Sequence, residues 1–161
     1  MSTNSPIETI APLLGRDLLL DYTLAGGFFE DADLASEKRL DRPAAPRDLS
    51  VAGGIDNLTQ AIANRLKTRK GELAALGHPE YGSRHHELIG QPNVDRTRNL
   101  IKLYVLQALR DEPRIEKVLA VTVTPEHIPP RDTVIVSLSV RVVRERTRLN
   151  LVVPFSLEMS L

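Results

Sequence analysis

From Val134 to Leu157 two runs of the chain place an apolar side chain at every second position: Val134, Val136, Leu138, Val140 and Val142, then Leu149, Leu151, Val153, Phe155 and Leu157. Alternation of period two buries one face only if both runs are β-strands, and a slip of one residue would turn the whole apolar set to water. A charged bend around Glu145 separates the runs, which predicts a hairpin, and Pro154 marks its second strand as an edge. A third β-branched run, Lys117 to Thr124, comes just before. Something N-terminal must cover the apolar face of such a sheet.

Two segments have the period to do so. Ile55, Leu58, Ile62 and Leu66 recur at three- and four-residue spacing, with Asp56 near the positive helix end, Arg65, Lys67, Arg69 and Lys70 near the negative end, and Gly71 as the stop. A second helix is predicted from a cap at Asn93 or Asp95 to about Asp111, with Ile101, Tyr104, Val105, Ala108 and Leu109 facing inward. Pro113 ends it, because the residue before a proline is pushed out of the helical region. Between the helices, "LGHPEYGSRHHELIG" reads as a structured loop with a short helix from Ser83 to Ile89, closed by Gly90. The predicted fold class is α+β: two main helices packed on a small antiparallel sheet with a C-terminal β-hairpin, plus an extended N-terminal arm.

The expected division is residues 1–50 as N-terminal arm and connector, and residues 51–161 as the α+β domain with its hairpin at 133–157. In the first part only Leu18 to Tyr22 has strand character. Residues 26–50 read as a long connector that needs a surface to lie on.

Twenty-one Lys and Arg balance twenty-one Asp and Glu, but the first fifty residues are more acidic and the rest more basic, about −4 and +4. That polarity suits contacts between neighbouring molecules and is too small to predict nucleic-acid binding. No cysteine is present, so disulfide and thiolate chemistry are excluded. No apolar run approaches the roughly 18 residues of a membrane helix, and the first residues lack the pattern of a secretory leader. A soluble chain with no membrane partner is expected.

The candidate constellations are thin. His78, His85 and His86 have metal-like residue types, but adjacent histidines point apart, whereas a helical metal pair needs a spacing of three or four. They are predicted to be surface or turn residues, with no metal and no cofactor. Ser83 near them lacks a nucleophile elbow. Glu112 could be the general acid of a glycan hydrolase, yet Arg114 two residues on favours its ionised form, opposite to that role. Arg141, Arg144, Arg146 and Arg148 form a basic hairpin tip without the aromatic residues that stack bases. Glycan hydrolysis and nucleic-acid binding remain the two rival readings.

"NLTQAIANRLKTRKGEL", "GHPEYGSRHHELIG" and "LQALRDEPRIEKVLAVTV" in this order resemble the W-like baseplate wedge family of contractile phage tails and injection systems. The resemblance runs from about Asp17 to the C-terminus, and the "GHPEYGS" form resembles the versions found in extracellular injection particles. It implies a non-enzymatic part of a baseplate, made in the cytoplasm and present in several copies in a ring. The family's Glu-Pro-Arg signature falls on Glu112, Pro113 and Arg114, which implies contact with larger wedge proteins. The hairpin residues Val134, Val136, Leu138, Val140, Val142, Leu149, Leu151 and Val153 would dock the sheath protein and help start its assembly. Spike and inner-tube proteins are further candidate neighbours; nucleic acid is not. Some relatives carry a lysozyme-like label, the origin of the rival peptidoglycan-cleaving reading of Glu112.

Overall fold

The computed structural model describes residues 11–22, 32–38, 47–126, 132–144 and 148–158. Glu145, Arg146 and the arm before Ala11 lie outside the described residues. The chain divides into two compact units, Met1–Gln60 and Ala61–Leu161.

The first unit holds a single helical turn, α1 (Ala11–Leu14), and six short strands: β1 (Arg16–Leu18), β2 (Leu20–Asp21), β3 (Asp33–Leu34), β4 (Ser36–Glu37), β5 (Asp48–Leu49) and β6 (Val51–Gly53). They pair as three antiparallel ribbons, β1 with β6, β2 with β3 and β4 with β5. The ribbons meet at one point. There the Leu19 N–H donates to the Ser50 carbonyl, the Ser50 N–H to the Ala35 carbonyl and the Ala35 N–H to the Leu19 carbonyl, each at 2.9 Å. The predicted connector therefore contains paired strands, and its backbone groups are satisfied in a closed ring of three.

The helix α2 (Gly54–Lys67) begins in this unit, and its first turns carry two buried amides. Asn57 Nδ2 donates to the Leu14 carbonyl at 2.8 Å. Gln60 accepts from the Leu20 N–H and donates to the Leu18 carbonyl, both at 2.8 Å, and so clamps the chain on either side of Leu19. On the predicted stripe Leu58, Ile62 and Leu66 are buried, while Ile55, in the first turn, is 38% exposed.

The second unit is built on a three-stranded antiparallel sheet, β7 (Ile115–Pro125), β8 (Thr133–Val142) and β9 (Arg148–Ser156), in the order β7-β8-β9. Helix α3 (Asp95–Leu109) packs on β7 and buries Thr97, Ile101, Val105, Ala108 and Leu109. Its N-cap is Val94, without a side-chain cap, in place of the predicted Asn93 or Asp95; both of those residues instead bind Arg98. The predicted alternation holds on the central strand, where Val134, Val136, Leu138, Val140 and Val142 are all buried. On β9 Val153 is buried and Leu149 and Leu151 are half-buried, as an edge strand requires. Among the described residues no helix is long and apolar enough to cross a membrane.

Candidate functional site

The acid-proline-base triplet forms the joint between α3 and β7. After the last helical turn the Glu112 N–H donates to the Leu109 carbonyl, and the Ile115 N–H donates to the Glu112 carbonyl as the strand begins. Pro113, which fixes its own backbone angle, stands exposed at the apex.

Glu112 is turned inward, with its side chain 4% exposed. Its Oε1 accepts from Arg114 Nε at 2.6 Å and from the Arg114 N–H at 3.3 Å, and its Oε2 accepts from Arg114 Nη2 at 3.1 Å. Arg65, from the last turns of α2, brings a second guanidinium within 3.6 Å. Burial pushes the Glu112 carboxyl up, but the hydrogen bonds and charge of Arg114, helped by Arg65, outweigh it and hold the group below the usual carboxylate range. The result is a bidentate pair in which the carboxylate fixes the direction of the Arg114 guanidinium. A general acid would need the reverse shift.

Arg65 links this joint to the second quoted motif. Its guanidinium lies 4.5 Å from the centre of the Tyr81 ring in the "GHPEYGS" loop. Burial raises the Tyr81 hydroxyl above its ordinary pKa. The loop reaches the end of α2 through Gly82 and Ser83: the Ser83 N–H donates to the Thr68 carbonyl at 2.9 Å, and the Lys70 N–H donates to the Ser83 carbonyl at 3.1 Å. The sequence shows Arg65 only as one basic residue near a helix end. Its role emerges once helix, loop and joint converge on one carboxylate.

Of the histidines predicted to be surface or turn residues, His78 is exposed, whereas His85 and His86 lie in a turn that is covered. His85, on the short 3-10 turn His85–Leu88, is 4% exposed. Its ring stacks on His86 at 4.4 Å and meets the Phe155 ring of β9 edge-on at 4.3 Å, while its Nδ1 lies 2.7 Å from Ser83 Oγ. The His86 Nε2–H donates to the Leu66 carbonyl at 3.0 Å. The tight turn puts adjacent rings side by side, and the cover comes from a strand some seventy residues away, so no local pattern announces it.

Burial first, and the neighbouring His86 second, push the His85 imidazole down to about 3. Its neutral form is thus favoured by folding, and the stability this contributes is complete above the unfolded value near 6.5. It is lost as pH falls from there toward 3, at up to about 1.4 kcal/mol per unit. The unfolding free energy is expected to drop between pH 6.5 and 5, before ordinary carboxylates titrate, and His85→Gln should flatten that segment. An unchanged slope in the variant would show that His85 is not the group responsible.

The hairpin divides its predicted docking residues by position. β8 is paired on both sides, from Ile115↔Val142 to Pro125↔Val134 with β7 and from Thr133↔Ser156 to Arg141↔Arg148 with β9. Its valines therefore face the core. What the hairpin offers outward is β9, paired on one side only among the described residues, with Val152 57% exposed.

The family model described as baseplate wedge protein gp25 matches residues 53–149, well over half of the chain. A crystal structure from Geobacter sulfurreducens, named as a proposed tail lysozyme, superposes with a TM-score of 0.56 and 31% sequence identity, over 65% of this chain and 92% of that one. Among curated proteins no match is found.

Proposed function

This chain belongs to the baseplate wedge protein gp25 family, and from that premise we propose that it is a structural part of the baseplate of a contractile machine, joining the wedge scaffold to the sheath. The observation that carries the reading is the joint itself: an exposed proline beside an arginine whose guanidinium is aimed by a buried carboxylate. Such a turn is preorganised for contact with another protein, because the ordering of its side chains is already complete before binding. Glu112 acts as a positioning residue, and Pro113 and Arg114 supply the contact surface for the larger wedge proteins. In this reading several copies surround the tube, and the outer edge of β9 receives a strand from the first sheath subunits by main-chain pairing. The core-facing valines of β8 hold that edge in place.

Arg114→Lys tests the joint, since it keeps the charge and loses the planar fork. Baseplate yield is expected to fall at least about tenfold, with the isolated protein still cooperatively folded, because lysine cannot keep the bidentate pair with Glu112 that aims the charge. Normal yield would count against the docking role. For β9, Val152→Pro sits two residues from the existing Pro154 and so has the same backbone orientation. It is expected to leave baseplates intact and stop sheath extension, and full-length sheaths on the variant would defeat the edge reading.

Hydrolysis keeps one supporting observation, the name of the Geobacter sulfurreducens protein. Against it stands the lowered pKa of Glu112, whose two oxygens are already engaged by Arg114.

A further inference from the structure

The register of the C-terminal sheet fixes what its outer face carries. Val136, Leu138 and Val140 turn to the core, so the residues between them, with their partners on β7 and β9, face the other way. The first row of that outer face joins Lys117, Arg141 and Arg148, one cation on each strand, directly opposite one another and all exposed. Neighbouring strands lie about 4.8 Å apart, so the three charges repel. None of them forms an ion pair among the described residues. Beyond this row the face is uncharged, with Asn150 exposed and Val152 57% exposed on β9.

The N-terminal unit offers the complementary surface. The innermost pairs of its three ribbons are Leu18↔Val51, Leu20↔Leu34 and Ser36↔Leu49, each next to the junction of Leu19, Ala35 and Ser50. Ser50 is buried, so by alternation Leu49 and Val51 turn outward, 46% and 53% exposed. Leu18 and Leu34, at the inner positions of the other ribbons, are 40% and 51% exposed. Beyond Leu20 and Leu34, the β2–β3 ribbon ends in Asp21 opposite Asp33. These two exposed carboxylates repel as the cations do, and they too form no ion pair among the described residues.

We propose that copies of this chain associate head to tail: the leucine surface of one copy seats on the outer sheet face of the next, with Asp21 and Asp33 against the row of Lys117, Arg141 and Arg148. Each like-charged group costs the free protein stability, and this contact turns both repulsions into attraction. A face-to-face dimer would cover the leucines and leave both repulsions in place. Nucleic acid would neutralise the cations alone, with no aromatic residue among them to stack on and no role for the leucines. Because the two surfaces differ, each bound copy keeps one of them free for a further copy, the heterologous geometry from which closed rings are built. Side chains stand perpendicular to the sheet, so the main-chain edge of β9 stays open for a strand from another protein. The contact stands on register and charge, and the baseplate reading supplies only a setting for the ring.

The sequence has no cysteine, so single cysteines report the contact without background. Full-length Val51→Cys and Asn150→Cys proteins are mixed at high concentration and treated with a short bismaleimide. The mixture is expected to give at least about fivefold more covalent dimer than either variant alone. Equal yields would overturn the proposal, and so would efficient crosslinking of Val51→Cys to itself, the sign of a face-to-face dimer. Adding Arg141→Glu and Arg148→Glu to the Asn150→Cys copy should return the yield to that of the single variants. Asp21→Lys with Asp33→Lys in the Val51→Cys copy should then restore it. All four positions are exposed, so melting temperatures should change little. An unchanged yield after the first pair, or no recovery after the second, would also overturn the contact. If the crosslink fails while Arg114→Lys still blocks baseplates, the head-to-tail contact falls and the baseplate reading stands; the opposite results remove that reading and keep the contact.

Discussion

Gly82→Ala is expected to destabilise the protein by about 3–5 kcal/mol. Gly82 has a φ of +101°, which side-chain-bearing residues rarely adopt, and an added Cβ would lie 2.7 Å from the carbonyl carbon and oxygen of Arg69 and the carbonyl oxygen of Thr68. These are backbone atoms at the end of α2, so no side-chain rotation relieves the clash. The loop must lift, and with it Tyr81 leaves Arg65. Chemical denaturation reads the loss directly, and a decrease under about 1 kcal/mol would mean that the loop gives way at little cost. By contrast Gly77, φ +86°, has open space at its Cβ, so its substitution carries the backbone strain alone.

The second large effect belongs to Glu112. Glu112→Ala leaves the guanidinium groups of Arg65 and Arg114, 14% and 23% exposed, without their shared anion. Removing one partner of a buried ion pair costs about 3–5 kcal/mol, and this variant removes the common partner of two. Glu112→Gln keeps the shape and one acceptor and should lose about half as much. The pH dependence has a definite sign: the folded carboxyl titrates below the unfolded one. Its stabilisation is therefore present above the unfolded value and lost as pH falls through the lowered folded value. A Glu112→Ala protein as stable as the parent at pH 7 would show that the three charges are solvated and independent. In the double variant Arg65→Met, Glu112→Ala the loss should shrink, because one stranded cation is gone.

How much of this was legible from the residues depends on the range of the interaction that decides each element. The β8 alternation and the helical stripes of α2 and α3 are local patterns against one apolar face, and both reappear with little change. The termination of α3 at Pro113 is likewise a local steric rule. The three-ribbon junction was not legible, because it closes through main-chain groups of Leu19, Ala35 and Ser50, and backbone hydrogen bonds carry no side-chain signature. Asn57 and Gln60 escaped for a related reason: on a wheel they are polar positions, and only the chain passing over them turns them into buried clamps. In the joint, the Glu112–Arg114 proximity follows from spacing alone. Arg65 and Tyr81 join it through tertiary packing of elements some thirty to fifty residues away, and the burial of His85 depends on Phe155 in the same way.

The junction at Leu19, Ala35 and Ser50 has a consequence for how such chains can diversify. A hub closed by three amide groups asks nothing of the side chains at its centre except that none is proline, since each of the three must donate. The sequence between Tyr22 and Ala32 and between Lys38 and Arg47 can then change in length or composition while the main-chain junction stays the same. Loop length costs little once the ends are held, roughly 0.6 kcal/mol per doubling. The junction thus separates what must be kept, three main-chain amides, from what can vary along the chain.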